Sequence, residues 1–317
     1  MNHKNPLATL LSGAFLSLPV FVSADPIAAS APAAVENEMP AVSAADIVRH
    51  GKSEKLSLRS RVALVWDDRE GVPLYGRLID QPRSIASLTK LMTALVILEA
   101  RLPLDELIQI TAEDRDTIKR TTSHLPVGAV LTRYDLLHAA LASSDNRAAA
   151  ALGRTWPDGR GAFIQAMNDR AAQLGMHRTR FADPTGLLAG NVSTATDLVK
   201  LVAAARSHQL IRMLSTDGEY ALLDRAKDRA IPMRNTNPLL RAEESSWDIR
   251  LSKTGHTSAA GRCLVLAATV AGRPLTVVLL NSSGRLTRYG DVARIRDWLV
   301  RAEQRVPRLT AAIAAGG

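Results

Sequence analysis

The chain predicts an α+β fold, an α/β sandwich: one antiparallel sheet assembled from distant segments, flanked by helices, with a helical subdomain between them. Three observations predict it. Strand-like hairpins occur near both ends of the chain, apolar runs of helical spacing dominate the middle, and the last periodic segment is again helical. At 317 residues, 46% hydrophobic and 22% charged, the chain suits one large domain or two interlocked subdomains.

Taken in order, the elements begin with a basic start, Met1-Asn2-His3-Lys4, and a short apolar run from Leu7 to Val22 that ends in Ser23-Ala24. This is the pattern of a secretory signal peptide over residues 1–24, with cleavage expected after Ala24. The apolar run is short and interrupted for a membrane span, which needs about 20 apolar residues. Residues 25–53, rich in Ala, Pro, Ser and Val without periodicity, read as a flexible linker. The folded domain is expected over 54–304. Arg61 to Trp66, the polar run Asp67 to Gly71 and Val72 to Tyr75 read as a hairpin. Leu88, Leu91, Met92, Leu95, Val96 and Leu98 form a helical pattern that is apolar on most sides, hence a buried helix. Leu136 to Ala142, the polar break Ser144-Asp145-Asn146 and an alanine-rich run read as helix, connection, helix. Thr194-x-x-Asp197 resembles a capping box opening another helix, with Asp in place of Glu. Ile249-Arg250-Leu251 opens an edge strand that is separated by Ser258 to Gly261 from its neighbour, Arg262 to Val270. A turn at Ala271 to Pro274 then leads to Leu275 to Leu280. A helix over Asp291 to Val300 closes the domain, and 305–317 is expected to be a short tail.

Three short words on these elements carry the chemistry. In Ser87-Leu88-Thr89-Lys90 the serine and lysine share a helix face, and the free N–H groups of the helix start add a positive field around the serine oxygen. A serine hydroxyl is a poor nucleophile until a neighbour takes its proton, and a desolvated lysine becomes neutral enough to do so. An N-cap serine followed by a surface lysine would explain this word alone. Ser144-Asp145-Asn146 places three hydrogen-bonding side chains on a connection between packed helices. Ser144 is assigned to relay a proton between Lys90 and the leaving group, and Asn146 to hold a substrate amide; a plain turn would also account for the word. Lys253-Thr254-Gly255-His256 lies on the edge strand, where unpaired backbone groups can accept an extended peptide. Gly255 offers no side chain to obstruct that approach. Lys253 and Thr254 would meet a substrate carboxylate, and the N–H groups of Ser87 and His256 would face a developing oxyanion. A basic turn beside a strand is the alternative.

Ser-x-x-Lys, Ser-Asp-Asn and Lys-Thr-Gly in this order are shared by penicillin-binding proteins and class A β-lactamases. Over Leu56 to Glu303 the chain resembles the serine D-Ala-D-Ala peptidases among the low-molecular-mass penicillin-binding proteins. Phe181 to Leu187, Asn191 to Leu198 and Arg234 to Asn237 look like the connecting segments of that family. It is most similar to the D-alanyl-D-alanine endopeptidase branch, the penicillin-binding protein seven type. The resemblance implies a β-lactamase/transpeptidase-like fold, an acyl-enzyme at Ser87, Lys90 as general base, and Ser144, Asn146, Lys253 and Thr254 organising the substrate. It also implies peptidoglycan peptide crosslinks as substrate, β-lactams as covalent inhibitors and a periplasmic location. Only 64 residues follow Lys253. That leaves no room for the C-terminal β domain and amphipathic membrane helix usual in the carboxypeptidase branch, so a soluble endopeptidase without a stable anchor is expected. The acidic middle residue Asp145 is also usual in class A β-lactamases, but no Glu-x-x-Leu-Asn word follows Asn146, which counts against that class. A D-Ala-D-Ala carboxypeptidase and a catalytically silent wall-binding protein complete the alternatives.

Composition excludes other classes. Seven histidines show no zinc-binding spacing, so no metal and no cofactor is expected. The single cysteine, Cys263, rules out an internal disulfide framework and sits in an apolar run as a buried structural thiol. The net charge of +9 suits a polyanionic surrounding such as the cell wall. Nucleic acid is excluded by the scattered arginines, the 4% aromatic content and the secretory start.

Overall fold

The computed structural model describes residues 42–51, 55–241 and 247–315. The expected signal peptide and the linker up to residue 41 lie outside the described residues.

The structure begins with helix α1 (Ala44–Gly51), where a flexible linker was expected. Ser43 Oγ caps it by accepting from Asp46 N at 3.2 Å, and its apolar side chains Ala44 and Ile47 are buried. With only two turns, this helix gives too short a window for its periodicity to stand out from an Ala- and Val-rich stretch. Strands β1 (Val62–Asp67) and β2 (Val72–Arg77) form the first hairpin, as the sequence predicts. The middle of the chain holds β3 (Arg83–Ser84), α2 (Lys90–Glu99), β4 (Leu107–Gln109), β5 (Val130–Thr132), α3 (Arg133–Leu141), α4 (Asn146–Arg154), α5 (Gly159–Gln173), β6 (Val192–Ser193), α6 (Ala195–Ser207) and α7 (Gln209–Thr216). A second hairpin, β7 (Glu219–Asp224) with β8 (Arg229–Arg234), precedes the return to the main sheet through β9 (Asp248–Thr257), β10 (Gly261–Val270) and β11 (Arg273–Ser282). The turn between β10 and β11 is two residues, Ala271 and Gly272, both left-handed at φ 49° and 74°. Helix α8 (Thr287–Ala315) starts earlier and runs further than the predicted Asp291 to Val300, and it takes in most of the expected tail.

Among the described residues the main sheet has five antiparallel strands in the order β2-β1-β11-β10-β9, so the two chain ends meet at its centre and β9 is an edge. Strand alternation divides it into two apolar faces. Val62, Leu64, Cys263, Val265, Ala267, Val278 and Leu280 pack with the helices of the middle, including the fully buried Leu91, Met92 and Leu95 of α2. Ala63, Val65, Leu264, Leu266, Val277 and Leu279 pack with Ile47 of α1 and with Val292, Ile295, Trp298 and Leu299 of α8. The helix after Ser87 is thus sandwiched in the core, as its all-round apolar pattern requires. Each such fully buried aliphatic side chain contributes about 1.5–3 kcal/mol.

A buried charge cluster ties the sheet's outer face to both ends of the described chain. Arg273, at the start of β11, is 1% exposed; it bonds Asp67, Glu303 Oε1 (2.7 Å) and the Val42 carbonyl, with Glu70 Oε1 at 3.5 Å. Asp67 is fully buried as well. Removing the arginine strands that carboxylate, so Arg273→Leu is expected to destabilise the fold by about 3–5 kcal/mol, read as a lower urea midpoint at unchanged slope.

Candidate active site

Ser87 sits on a 3-10 turn, Ala86–Thr89, that runs directly into α2. Residues i and i+3 eclipse in a 3-10 turn, which brings Ser87 and Lys90 together more directly than an α-helix would. The turn is pinned by Ile85 N donating to Asn191 O (3.1 Å) and Thr89 Oγ1 donating to Ala86 O (2.8 Å). Ala86, just before the serine, is held at φ 50°, a left-handed conformation that costs a non-glycine residue about 1–2 kcal/mol.

Lys90 is completely buried, and its Nζ has three partners at hydrogen-bond distance: Ser87 Oγ at 3.0 Å, Asn146 Oδ1 at 2.7 Å and the Thr185 carbonyl at 2.7 Å. Burial lowers its pKa to about 8, although the carboxylates of Asp183, Asp145 and Asp116 act in the opposite direction. The structure therefore joins the first two words through Asn146. Ser144, also left-handed at φ 58°, is half-buried, and its hydroxyl has no hydrogen-bond partner among the described residues, so no bond links it to Lys90. Asp145 is the N-cap of α4: Oδ1 accepts from Ala148 N (3.0 Å), and Oδ2 accepts from Ser123 Oγ (2.7 Å). Asn146 Nδ2 donates to Thr121 Oγ1 at 2.8 Å, drawing the loop before β5 over the site. Behind the connection, Ser143 Oγ lies 3.0 Å from Tyr220 OH and donates to Arg234 O (2.8 Å), which fixes the loop to the β7–β8 hairpin.

The third word lies on β9 as predicted. Lys253 pairs with Val265 and Gly255 with Cys263, so both point to the helical face of the sheet, while Thr254 pairs with Leu264 on the other face. Lys253 is buried, its one hydrogen bond among the described residues going to Thr254 O at 3.2 Å. Burial, and then the charge of Lys90, lower its pKa well below the ordinary lysine value. Thr254 Oγ1 lies 2.6 Å from Thr236 Oγ1. The role of Gly255 differs from the expected clearance for a substrate: a Cβ there would lie 3.1 Å from Ile85 O and Ser87 N, so the missing side chain seats the serine's own turn against the strand. That contact brings the Ser87 N–H, free of intrahelical partners at the turn's start, close to the backbone of β9. The ring of the next residue, His256, is exposed. Burial, followed by the charges of Arg262 and Arg288, lowers the His256 pKa.

Two candidate contributors were not visible in the three words. Asp183, in Phe181 to Leu187, gathers Thr185 N and Gly186 N through Oδ1 (2.5 and 2.7 Å), and Leu188 N and Asn191 Nδ2 through Oδ2 (2.7 and 2.8 Å). The resulting turn presents the Thr185 carbonyl to Lys90 and sets Gly186, at φ 84°, against Ala86. An Asp-Pro-Thr-Gly run signals a turn, but not what that turn holds. Arg288, at the start of α8, is 7% exposed; it donates to Tyr289 OH (2.9 Å) and Arg285 O (3.3 Å) and has no acidic partner among the described residues. Tyr289 OH in turn donates to Thr236 O at 3.4 Å, so this unpaired charge stands beside β9. No short-range pattern links Arg288 to Lys253.

The profile of the S11 peptidases, described as D-alanyl-D-alanine carboxypeptidase, matches residues 49–284. The chain belongs to this family of serine peptidases. Within the family it is 42% identical to a D-alanyl-D-alanine endopeptidase of Pseudomonas aeruginosa, over 82% of this chain and 83% of the relative. It is 41% identical to the D-alanyl-D-alanine endopeptidase of Escherichia coli, over 76% of this chain and 77% of the relative. The crystal structure of the Streptomyces K15 DD-transpeptidase superposes with a TM-score of 0.70 at 28% identity, covering 76% of this chain and 97% of that one. The α+β fold expected from the sequence is thus the fold of this S11 peptidase.

A Cβ added to Gly186 would fall 2.0 Å from Ala86 O and 2.9 Å from Ser87 N. Gly186→Ala must displace the serine's turn, and a 1 Å misplacement of a reacting group costs about 100-fold in rate. Acylation of Ser87 by benzylpenicillin, followed by intact-protein mass, is expected to slow by about that factor.

Proposed function

We propose that this S11 peptidase is a periplasmic DD-endopeptidase that hydrolyses D-alanyl-meso-diaminopimelyl crosslinks of peptidoglycan through an acyl-enzyme at Ser87. The observation that carries the mechanism is the buried Lys90 amine, 3.0 Å from Ser87 Oγ. In its neutral form the amine has two N–H bonds, which suit Asn146 Oδ1 and Thr185 O, and one lone pair, which then points at the serine hydroxyl. Lys90 takes the Ser87 proton as Oγ attacks the D-alanyl carbonyl, and the N–H groups of Ser87 and His256 receive the oxyanion. The tetrahedral intermediate collapses, breaking the C–N bond. The proton held on Lys90 passes through the unpartnered Ser144 hydroxyl to the leaving amine. Water, activated by the same lysine, then hydrolyses the ester.

Substrate is held on both sides of that centre. Asn146 Oδ1 accepts from Lys90 and has a second lone pair for a substrate N–H, while the edge of β9 pairs with the peptide backbone. Lys253, Thr254 and Arg288 receive a carboxylate on the leaving side. The endopeptidase reading over a carboxypeptidase is supported by the names of the relatives at 41–42% identity. The export reading is supported by the basic, apolar and small-residue order of residues 1–24. Among the described residues no helix is long and apolar enough to cross a membrane.

Purified protein and its Ser87→Ala variant should be incubated with crosslinked muropeptide dimers and with pentapeptide monomers, and the products weighed. Dimers falling to monomers only with intact Ser87 is the expected outcome; loss of D-alanine from pentapeptide alone would assign a carboxypeptidase instead. The pH dependence follows from the base. Lys90 acts when deprotonated, so the acylation rate is low below its pKa and rises with pH through about 8. A rate that is flat from pH 6 to 9 would remove Lys90 from this role.

A further inference from the structure

A cavity of about 190 Å³ shares a wall with the catalytic centre. Asn146 and Thr185, two of the three groups that hold Lys90, line it together with Glu113, Arg115 and Asp116 from the segment before β5, Arg160 of α5 and Asp183. It therefore lies on the Asn146 side of Ser87, away from Lys253 and Arg288.

Its charged groups fall into two sets. The first is already engaged. Asp114 is paired with Arg154 at 2.8 Å. Asp116 accepts from Ile118 N, Lys119 N, Thr121 N and Thr121 Oγ1 at 2.7–3.0 Å, and Asp183 is saturated by its own turn. The second set is available. Arg115, Glu113 and Arg160 are all exposed; Arg115 and Glu113 have no side-chain hydrogen bond or ion pair among the described residues, Glu113 acts only at a distance on Arg154, and Arg160 reaches only Glu113 O at 3.5 Å. A ligand that is purely anionic would face the carboxylates of Asp116 and Asp183 as well as the two arginines, and a purely cationic one would meet the arginines. A group carrying both charges a few ångströms apart satisfies both.

We propose that this cavity is a specificity subsite for a zwitterionic amino acid head group on the acyl-donor peptide, with Arg115 and Arg160 taking its carboxylate and Glu113 its ammonium. The inference rests on the acyl-enzyme reading above and deepens it. Diaminopimelate next to the scissile D-alanine carries such a head group at the end of its side chain when it is not itself crosslinked, and an amidated side chain does not.

The test uses two β-lactams, so that it does not depend on which peptide bond the enzyme cuts. Second-order acylation rates of Ser87 are compared for a penicillin with a D-α-aminoadipyl side chain, which ends in an ammonium and a carboxylate, and for benzylpenicillin, which has neither. The ratio of the two rates is expected to fall about tenfold in the Arg115→Gln/Arg160→Gln variant, the loss of about 1.4 kcal/mol of recognition. It is expected to fall again by a smaller factor in Glu113→Gln. An unchanged ratio, or equal slowing with both compounds, overturns the subsite. Failure of the endopeptidase reading shows separately, as intact muropeptide dimers alongside a ratio that still depends on the arginines. If neither compound acylates Ser87, the reaction and the subsite fall together.

Discussion

The site is organised around the cost of burying one amine. Lys90 belongs to a helix whose other residues, from Leu91 to Ile97, are all buried, and its own side chain is buried with them. A charge placed there is tolerated only if every N–H finds an acceptor, and each of the three acceptors comes from a different part of the chain: the turn before α2, the start of α4 and the turn after Phe181. The same burial that makes the ammonium expensive lowers its pKa to about 8 and gives it a neutral form near physiological pH. The neutral amine and the convergence of three segments are therefore one requirement.

Two of the left-handed non-glycine residues lie at this centre. Ala86 precedes the serine and Ser144 opens the second word, and both occupy left-handed conformations without being glycine. Bonds of the flanking residues hold both turns: Thr89 Oγ1 to Ala86 O, Ile85 N to Asn191 O, and Ala148 N to Asp145 Oδ1. The two glycines that matter, Gly186 and Gly255, do not supply flexibility. They remove the side chains that would keep two neighbouring segments from closing on the serine's turn.

The sheet supplies the rigid reference for this assembly. Because β1 from the first part of the chain pairs with β11 from the last, the strand bearing Lys253 is fixed relative to α2 by the apolar face that the sheet shares with it rather than by loops. The buried Arg273 cluster locks the turn of the first hairpin to α8, and the first turn of α8 carries Arg288 to the open edge. The cleft thus has a cationic side, with Lys253 and Arg288, and a mixed-charge side near Asn146.

Sequence by itself determined many of the local elements and the candidate reactive groups. Alternation gave the two hairpins, all-round apolarity gave the buried α2, and the three words marked Ser87, Lys90, Asn146 and Lys253, because these signals depend on residues a few positions apart. The helix at Ala44–Gly51 escaped because eight residues make too short a window, and the length of α8 because Pro307 reads locally as a helix stop. The tertiary structure alone decided that Lys90 is held by Asn146 and Thr185 rather than by Ser144, that Gly255 makes room for the Ser87 turn, and that Asp183 and Arg288 stand beside these groups. These facts depend on contacts between segments roughly 50 to 170 residues apart in the chain. Such contacts are set by how apolar faces pack and by which buried polar groups must be satisfied, and no local pattern of residue types encodes them.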